Sequence, residues 1–163
     1  MEKCLKKNDP ILNKKNIQFK LLYRASKDGD GCKVFHSKCD KKANVLFIIQ
    51  TLKGLKFGGY TEQTWEGETA KEDNNIFAFS LDHFKKYNCI KGKKCMNPAK
   101  DRGPRLESWV IWTGEKFLSQ KGETCTKSSA SNYFEGFSYD YEINNGEMYF
   151  TINEFEAFQI IMT

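Results

Sequence analysis

Met148-Tyr149-Phe150-Thr151-Ile152-Asn153-Glu154-Phe155-Glu156-Ala157-Phe158-Gln159-Ile160 is the most telling stretch of the chain. Met148, Phe150 and Ile152 alternate on one side, the period of a half-buried strand. Phe155 and Ala157 then take over on the opposite parity. A period-two pattern that slips by one implies an extra residue near Asn153. That residue is a β-bulge, which resets which side chains face the core. The slip turns Glu154 and Glu156 outward.

Upstream, similar signals recur. Ile17-Gln18-Phe19-Lys20-Leu21-Leu22-Tyr23-Arg24 is aromatic and β-branched with partial alternation, which reads as a first strand. Val45-Leu46-Phe47-Ile48-Ile49 is a continuous apolar run of strand length, which implies burial on both faces. Lys56-Phe57-Gly58-Gly59-Tyr60-Thr61 is its return strand. Residues 76–81 set Phe77, Phe79 and Leu81 on one face, and residues 83–90 supply another strand. Ser108-Trp109-Val110-Ile111-Trp112 reads as a strong strand, turning at Gly114-Glu115 into Lys116-Phe117-Leu118. Residues 62–75, anchored by Trp65, and residues 91–103 and 124–132 read as loops.

One helix stands out. Lys27-Asp28-Gly29-Asp30-Gly31 breaks the first strand, with Asp28 or Asp30 placed to cap a helix beginning near Cys32. Cys32, Phe35, His36 and Cys39 share one face of that helix. Lys38, Lys41 and Lys42 cluster toward its C-terminal end, where cations suit the helix dipole. The expectation is a mostly β fold: a two-sheet antiparallel β-sandwich over residues 17–163 with one or two short flanking helices. A flexible lead-in over residues 1–16 precedes it.

Composition narrows the function. The 163 residues suit one domain, and 39% hydrophobic with 14% aromatic content excludes a disordered chain. No apolar run reaches membrane-spanning length, and the basic N-terminus has no apolar segment behind it, so no secretory signal is expected. Net charge is +5, from 26 basic and 21 acidic residues, but only Arg24, Arg102 and Arg105 are arginine. Nucleic-acid sites draw on the planar arginine fork. The lysines, interspersed with carboxylates, therefore read as a solvated surface. The densest group, Lys91-Gly92-Lys93-Lys94, falls in a loop. Cys4, Cys32, Cys39, Cys89, Cys95 and Cys125 are expected as free thiols in a reducing, cytoplasmic compartment. No CxxC pair exists, and His36 and His83 do not complete a zinc spacing, so neither metal nor cofactor is expected.

Several segments, in order, resemble a TLDc domain. They are Phe19-Lys20-Leu21-Leu22-Tyr23-Arg24-Ala25-Ser26-Lys27-Asp28-Gly29, Phe35-His36-Ser37-Lys38-Cys39-Asp40, Phe57-Gly58-Gly59-Tyr60-Thr61, Phe77-Ala78-Phe79-Ser80-Leu81 and Phe150-Thr151-Ile152-Asn153-Glu154-Phe155-Glu156-Ala157-Phe158-Gln159-Ile160. The resemblance covers nearly the whole chain from Ile11. It implies two antiparallel sheets with flanking helices and a role in resistance to oxidative stress. It also implies binding to a subunit of the vacuolar-type proton-pumping ATPase, at vacuolar or endosomal membranes reached through that partner. No catalytic reaction is established for the family, although a triad-like group of Gly, Ser and His has been proposed in one branch. The chain departs from the pattern at Asp30 and Gly31, which stand where the family often has a serine. It departs again at Gly103-Pro104, which is followed by Arg105-Leu106-Glu107-Ser108 instead of glycines. Only Ile11-Leu12 matches the N-terminal helical region.

Five groups are candidate sites. His36, beside Asp28 or Asp40, has the chemistry of a general base if Ser26, Ser37 or a thiol lies within reach; otherwise it is a half-buried histidine bonded to a backbone carbonyl. Cys32, near a helix N-terminus, suits oxidation sensing, whereas the apolar stripe it shares with Cys39 suits packing. Cys89 and Cys95 are the more exposed pair, able to form a disulfide under oxidant. Glu154 and Glu156 share a strand face and suit acid–base work, cation binding, a solvated edge or a partner surface. Gly58 and Gly59 read as backbone requirements first and close-approach positions second. Asp28, Gly29, Gly58, Gly59, Glu154 and Glu156 form the expected partner-binding set. The expected function is a non-enzymatic protein-interaction module. The alternative is a thiol- or histidine-based enzyme or redox scavenger using His36 or the cysteines.

Overall fold

The computed structural model describes residues 16–162. The lead-in up to residue 15, with Cys4 and Ile11-Leu12, lies outside the described residues, as does Thr163. The strands are β1 (Ile17–Arg24), β2 (Val45–Thr51), β3 (Lys56–Thr61), β4 (Phe77–Ser80), β5 (Lys85–Cys89), β6 (Met96–Asn97), β7 (Arg105–Leu106), β8 (Ile111–Trp112), β9 (Lys121–Glu123), β10 (Phe134–Glu135) and β11 (Tyr149–Met162). Three short helices accompany them: α1 (Ala25–Asp28), α2 (Cys32–Cys39) and α3 (Lys127–Ala130).

All the strands lie on one hydrogen-bonded path, β10-β5-β4-β3-β2-β11-β9-β8-β7-β6, with β1 added to β11. One large antiparallel sheet therefore replaces the two separate sheets expected. The cause is β11, whose 14 residues serve both halves of the path. Its first residues pair with β9, and its later ones pair with β2 on one side and β1 on the other. The register slips between Ile152 and Glu154, where the change of parity placed a bulge. A second slip lies between Leu21 and Tyr23 of β1.

The slips sort apolar side chains into two clusters. Tyr23, Phe35, Phe47, Trp65, Phe117 and Phe155 form the centre of the main core, all essentially inaccessible to water. Phe155 stacks on Phe117 at 4.5 Å and on Phe47 at 5.8 Å, while Phe35 meets Trp65 edge-on at 5.8 Å. Each such ring pair adds roughly 0.5–1.5 kcal/mol beyond its buried area. Leu46, Tyr60, Phe77, Phe79 and Ile160 form a second cluster on the opposite face of the sheet, joined at its rim by Ile17, Phe19 and Phe158.

One expected strand is shortened and another is not formed. Glu107–Trp109 is a 3-10 turn in which Ser108 and Trp109 have φ of 53° and 57°. A left-handed backbone cannot continue a strand, so β8 begins only at Ile111. Lys116-Phe117-Leu118 is not a strand because its amide groups are taken elsewhere. Asp30 Oδ1 accepts from Phe117 N at 2.8 Å and from Leu118 N at 3.1 Å, and Cys32 N donates to the Glu115 carbonyl at 2.8 Å. The loop expected at 124–132 contains α3, capped by Thr126, whose hydroxyl accepts from Ser129 N.

Candidate interaction surface

At the end of β1 the chain turns sharply into α1. Arg24 N donates to Asp28 Oδ2 at 2.8 Å, and Lys38 Nζ donates to Asp28 Oδ1 at 3.0 Å. The Arg24 amide first, and the Lys38 ammonium second, hold the Asp28 carboxyl below the usual carboxylate range. Tyr23 donates its hydroxyl to the Gly29 carbonyl at 2.9 Å, and burial drives that hydroxyl's pKa well up. Gly29 sits at φ 105°, a backbone conformation open mainly to glycine. Neither aspartate caps α2, as had been expected. Asp28 closes α1, Asp30 holds the loop at Phe117, and the residue at the α2 cap is Gly31.

The two glutamates meet this turn. Arg24 and Glu156 are register partners across β1 and β11, and the guanidinium reaches the carboxylate at 2.5 Å. Glu154 Oε1 accepts from Ser26 N at 3.2 Å and from Phe155 N at 3.0 Å, and its Oε2 accepts from the Ser26 hydroxyl. Both carboxylates are only half-buried. They do not lie on an edge, because β11 runs between β1 and β2. Asp28, Gly29, Glu154 and Glu156 thus share one rim. Arg24 and Ser26 belong to it as well, although no local pattern pointed to residues 132 and 128 positions away from their carboxylates.

Gly58 and Gly59 are elsewhere, buried in the middle of β3. A Cβ on Gly58 would lie 1.9 Å from the Phe47 carbonyl oxygen. A Cβ on Gly59 would lie 2.8 Å from Leu106 Cδ1 and 3.0 Å from the Phe47 ring. Both glycines keep neighbouring groups in contact.

His36 lies on α2 and is 8% exposed. Its Nδ1 faces Asp40 Oδ1 at 2.5 Å, and its Nε2 faces the carbonyls of Ala99 at 3.1 Å and Arg102 at 3.0 Å. Carbonyls only accept, so Nε2 carries a proton. Among the described residues no hydroxyl or thiol faces a ring nitrogen, and the Ser37 hydroxyl donates instead to the Val34 carbonyl at 2.7 Å. The imidazole therefore pins loop 99–102 to α2. His36, Ser37, Lys38, Asp40, Lys41 and Lys42 line a cleft of about 460 Å³ beside it.

The cysteines divide differently from the expectation. Cys89 and Cys95 are joined in a disulfide rather than free, and both are buried rather than exposed. The link ties β5, next to one end of the sheet path, to the start of β6 at the other end. Cys32, Cys39 and Cys125 are free and buried. Burial raises the Cys32 pKa and so removes the activation that a helix N-terminus would confer; it pushes Cys39 and Cys125 up to about 12. Among the described residues, no group of three or more His, Cys, Asp or Glu is placed to hold a metal ion. No described helix is long and apolar enough to cross a membrane.

No curated protein matches the chain. The family model described as the TLDc domain matches residues 1–161.

Proposed function

Because the chain belongs to the TLDc domain family, we propose that it is a non-enzymatic protein-interaction module associated with resistance to oxidative stress. Its partner on this reading is a subunit of the vacuolar-type proton ATPase. It acts in the cytoplasm and reaches vacuolar or endosomal membranes through that partner. The family match over residues 1–161 carries the reading. The bonding of His36 supports it, since both ring nitrogens serve structural contacts. Asp28, Gly29, Glu154 and Glu156 present the contact rim, and Gly58 and Gly59 act from inside by holding β3 against β2. The test is co-sedimentation of the full chain with purified vacuolar-type ATPase holoenzyme. Retention on the pump, weakened by Glu154→Lys with Glu156→Lys, is the expected result. Failure to co-sediment beside a working positive control rules out the partner.

The Cys89–Cys95 disulfide favours a second reading, thiol-based scavenging. Two thiols would give two electrons and two protons to one hydrogen peroxide, leaving the disulfide and two waters. Peroxide consumption no faster than by free cysteine, in the presence of a recycling dithiol, eliminates it.

A further inference from the structure

An antiparallel sheet that does not close has edges, and an edge strand presents a row of unpaired N–H and C=O groups. The two ends of this sheet path, β10 and β6, are two residues long each, too short to template another strand. β1 is different. It has eight residues and pairs only with β11, so its other side has no strand partner among the described residues. At about 3.3 Å per residue it offers an edge of roughly 26 Å.

The two faces of β1 differ in chemistry. Ile17, Phe19 and Leu21 pair with Met162, Ile160 and Phe158, and the row continues the second apolar cluster to the brink of the sheet. Leu21, at this brink, is 38% exposed. Lys20 points to the opposite face with its register partner Gln159, because residues directly across an antiparallel pair share a face. Gln159 Nε2 donates to the Ala43 carbonyl at 3.3 Å, which brings the segment just after Lys41 and Lys42 to this register position. Lys20, Lys41 and Lys42 are all exposed, and none has an acidic partner among the described residues.

We propose that the free edge of β1 accepts an extended strand from a protein partner whose side chains alternate apolar and acidic. The backbone ladder supplies the pairing. The apolar row lies beside Ile17, Phe19 and Leu21, and the carboxylates face Lys20, Lys41 and Lys42. Charge decides the occupant. Two copies of this chain joined edge to edge would bring the same lysines of both onto one face, where like charges oppose pairing. A strand bearing carboxylates turns that repulsion into attraction. This deepens the interaction reading above, and rests on it only in taking the partner to be a protein.

The probe is a nine-residue acetylated peptide alternating valine and glutamate, added to the full chain. Amide hydrogen exchange is read residue by residue. The expected result is new protection confined to β1 amides. Lys20→Glu should weaken binding by roughly five-fold, and the same variant should prefer a valine–lysine peptide. Three outcomes overturn the proposal: no protection of β1 at millimolar peptide, protection centred on β6 or β10, or self-association through β1 in place of peptide binding. The pump experiment is separable. A pump that binds while β1 amides exchange freely refutes the edge-strand proposal alone, whereas β1 protected by peptide without pump binding refutes only the identity of the partner.

Discussion

Replacing Gly58 by alanine tests the packing of β3 against β2. The new Cβ would lie 1.9 Å from the Phe47 carbonyl oxygen, 2.9 Å from its carbon and 3.1 Å from Ile48 Cα. All three are backbone atoms of a neighbouring strand, and Ile48 is the register partner of Gly58. β2 cannot simply retreat, because β11 holds its other side. Opening the β2–β3 ladder sacrifices about two hydrogen bonds at roughly 1 kcal/mol each. Overpacking adds roughly 1–3 kcal/mol. Alanine recovers roughly 0.5–1 kcal/mol through the unfolded chain. The net loss is about 3 kcal/mol, or roughly 6–12 °C in Tm for a domain of this size. Gly59→Ala provides the contrast. Its new Cβ meets side-chain atoms of Leu106 and Phe47, which have room to give way, so about 1–2 kcal/mol is expected. Thermal and urea unfolding of both variants, followed by circular dichroism, is the assay. A Gly58→Ala protein as stable as wild type, or less affected than Gly59→Ala, would refute the reasoning.

His36→Ala removes the link between α2 and loop 99–102 and should cost roughly 2–3 kcal/mol. Trypsin should then cut after Lys100 and Arg102 faster; unchanged melting and unchanged cleavage would show that the ring holds nothing. Reducing the Cys89–Cys95 disulfide should lower Tm, since releasing its short loop costs roughly 2 kcal/mol in the chain-entropy account. Melts with and without dithiothreitol, with mass spectrometry to follow the bond, check this, and equal midpoints would contradict it. Cys32, Cys39 and Cys125 should resist alkylation in the native protein and react on unfolding. A native thiol labelled at the rate of free cysteine would reinstate oxidation sensing. The raised pKa values of Cys39 and Cys125 also set a pH dependence. The unfolded chain loses these protons from about pH 9 while the folded one holds them to about pH 12. Their contribution is intact below pH 9 and disappears as pH rises to 12. Urea midpoints measured from pH 8 to 11 should fall, and should fall less in the double Cys39→Ala, Cys125→Ala variant relative to its own value at pH 8.

Local signals foretold much of the secondary structure. β1 and β3 have the limits implied by their composition and punctuation, and α2 buries Cys32, Phe35, His36 and Cys39 on one face. The slip at Asn153 was readable because side-chain parity alone reveals an extra residue in a strand. Such features depend on neighbours a few residues apart, and their physics is written in spacing.

Long-range pairings obeyed no such rule. Lys116-Phe117-Leu118 has strand composition, yet one carboxylate oxygen of Asp30 captures two of its amides from 87 and 88 positions away. Ser108 and Trp109 look extended but are held in a left-handed turn, with Trp109 stacked on Trp112 at 5.9 Å. His36 could be selected by residue type, but its role depends on carbonyls 63 and 66 positions away. Glu154 and Glu156 were recognised as outward-facing, while their engagement by Ser26 and Arg24 awaited the pairing of β1 with β11. Periodicity therefore names the longer strands and the residues they bury. Which strands become neighbours, which carboxylates find donors and which edge stays open depend on chain closure over more than a hundred residues, a matter that local composition does not encode.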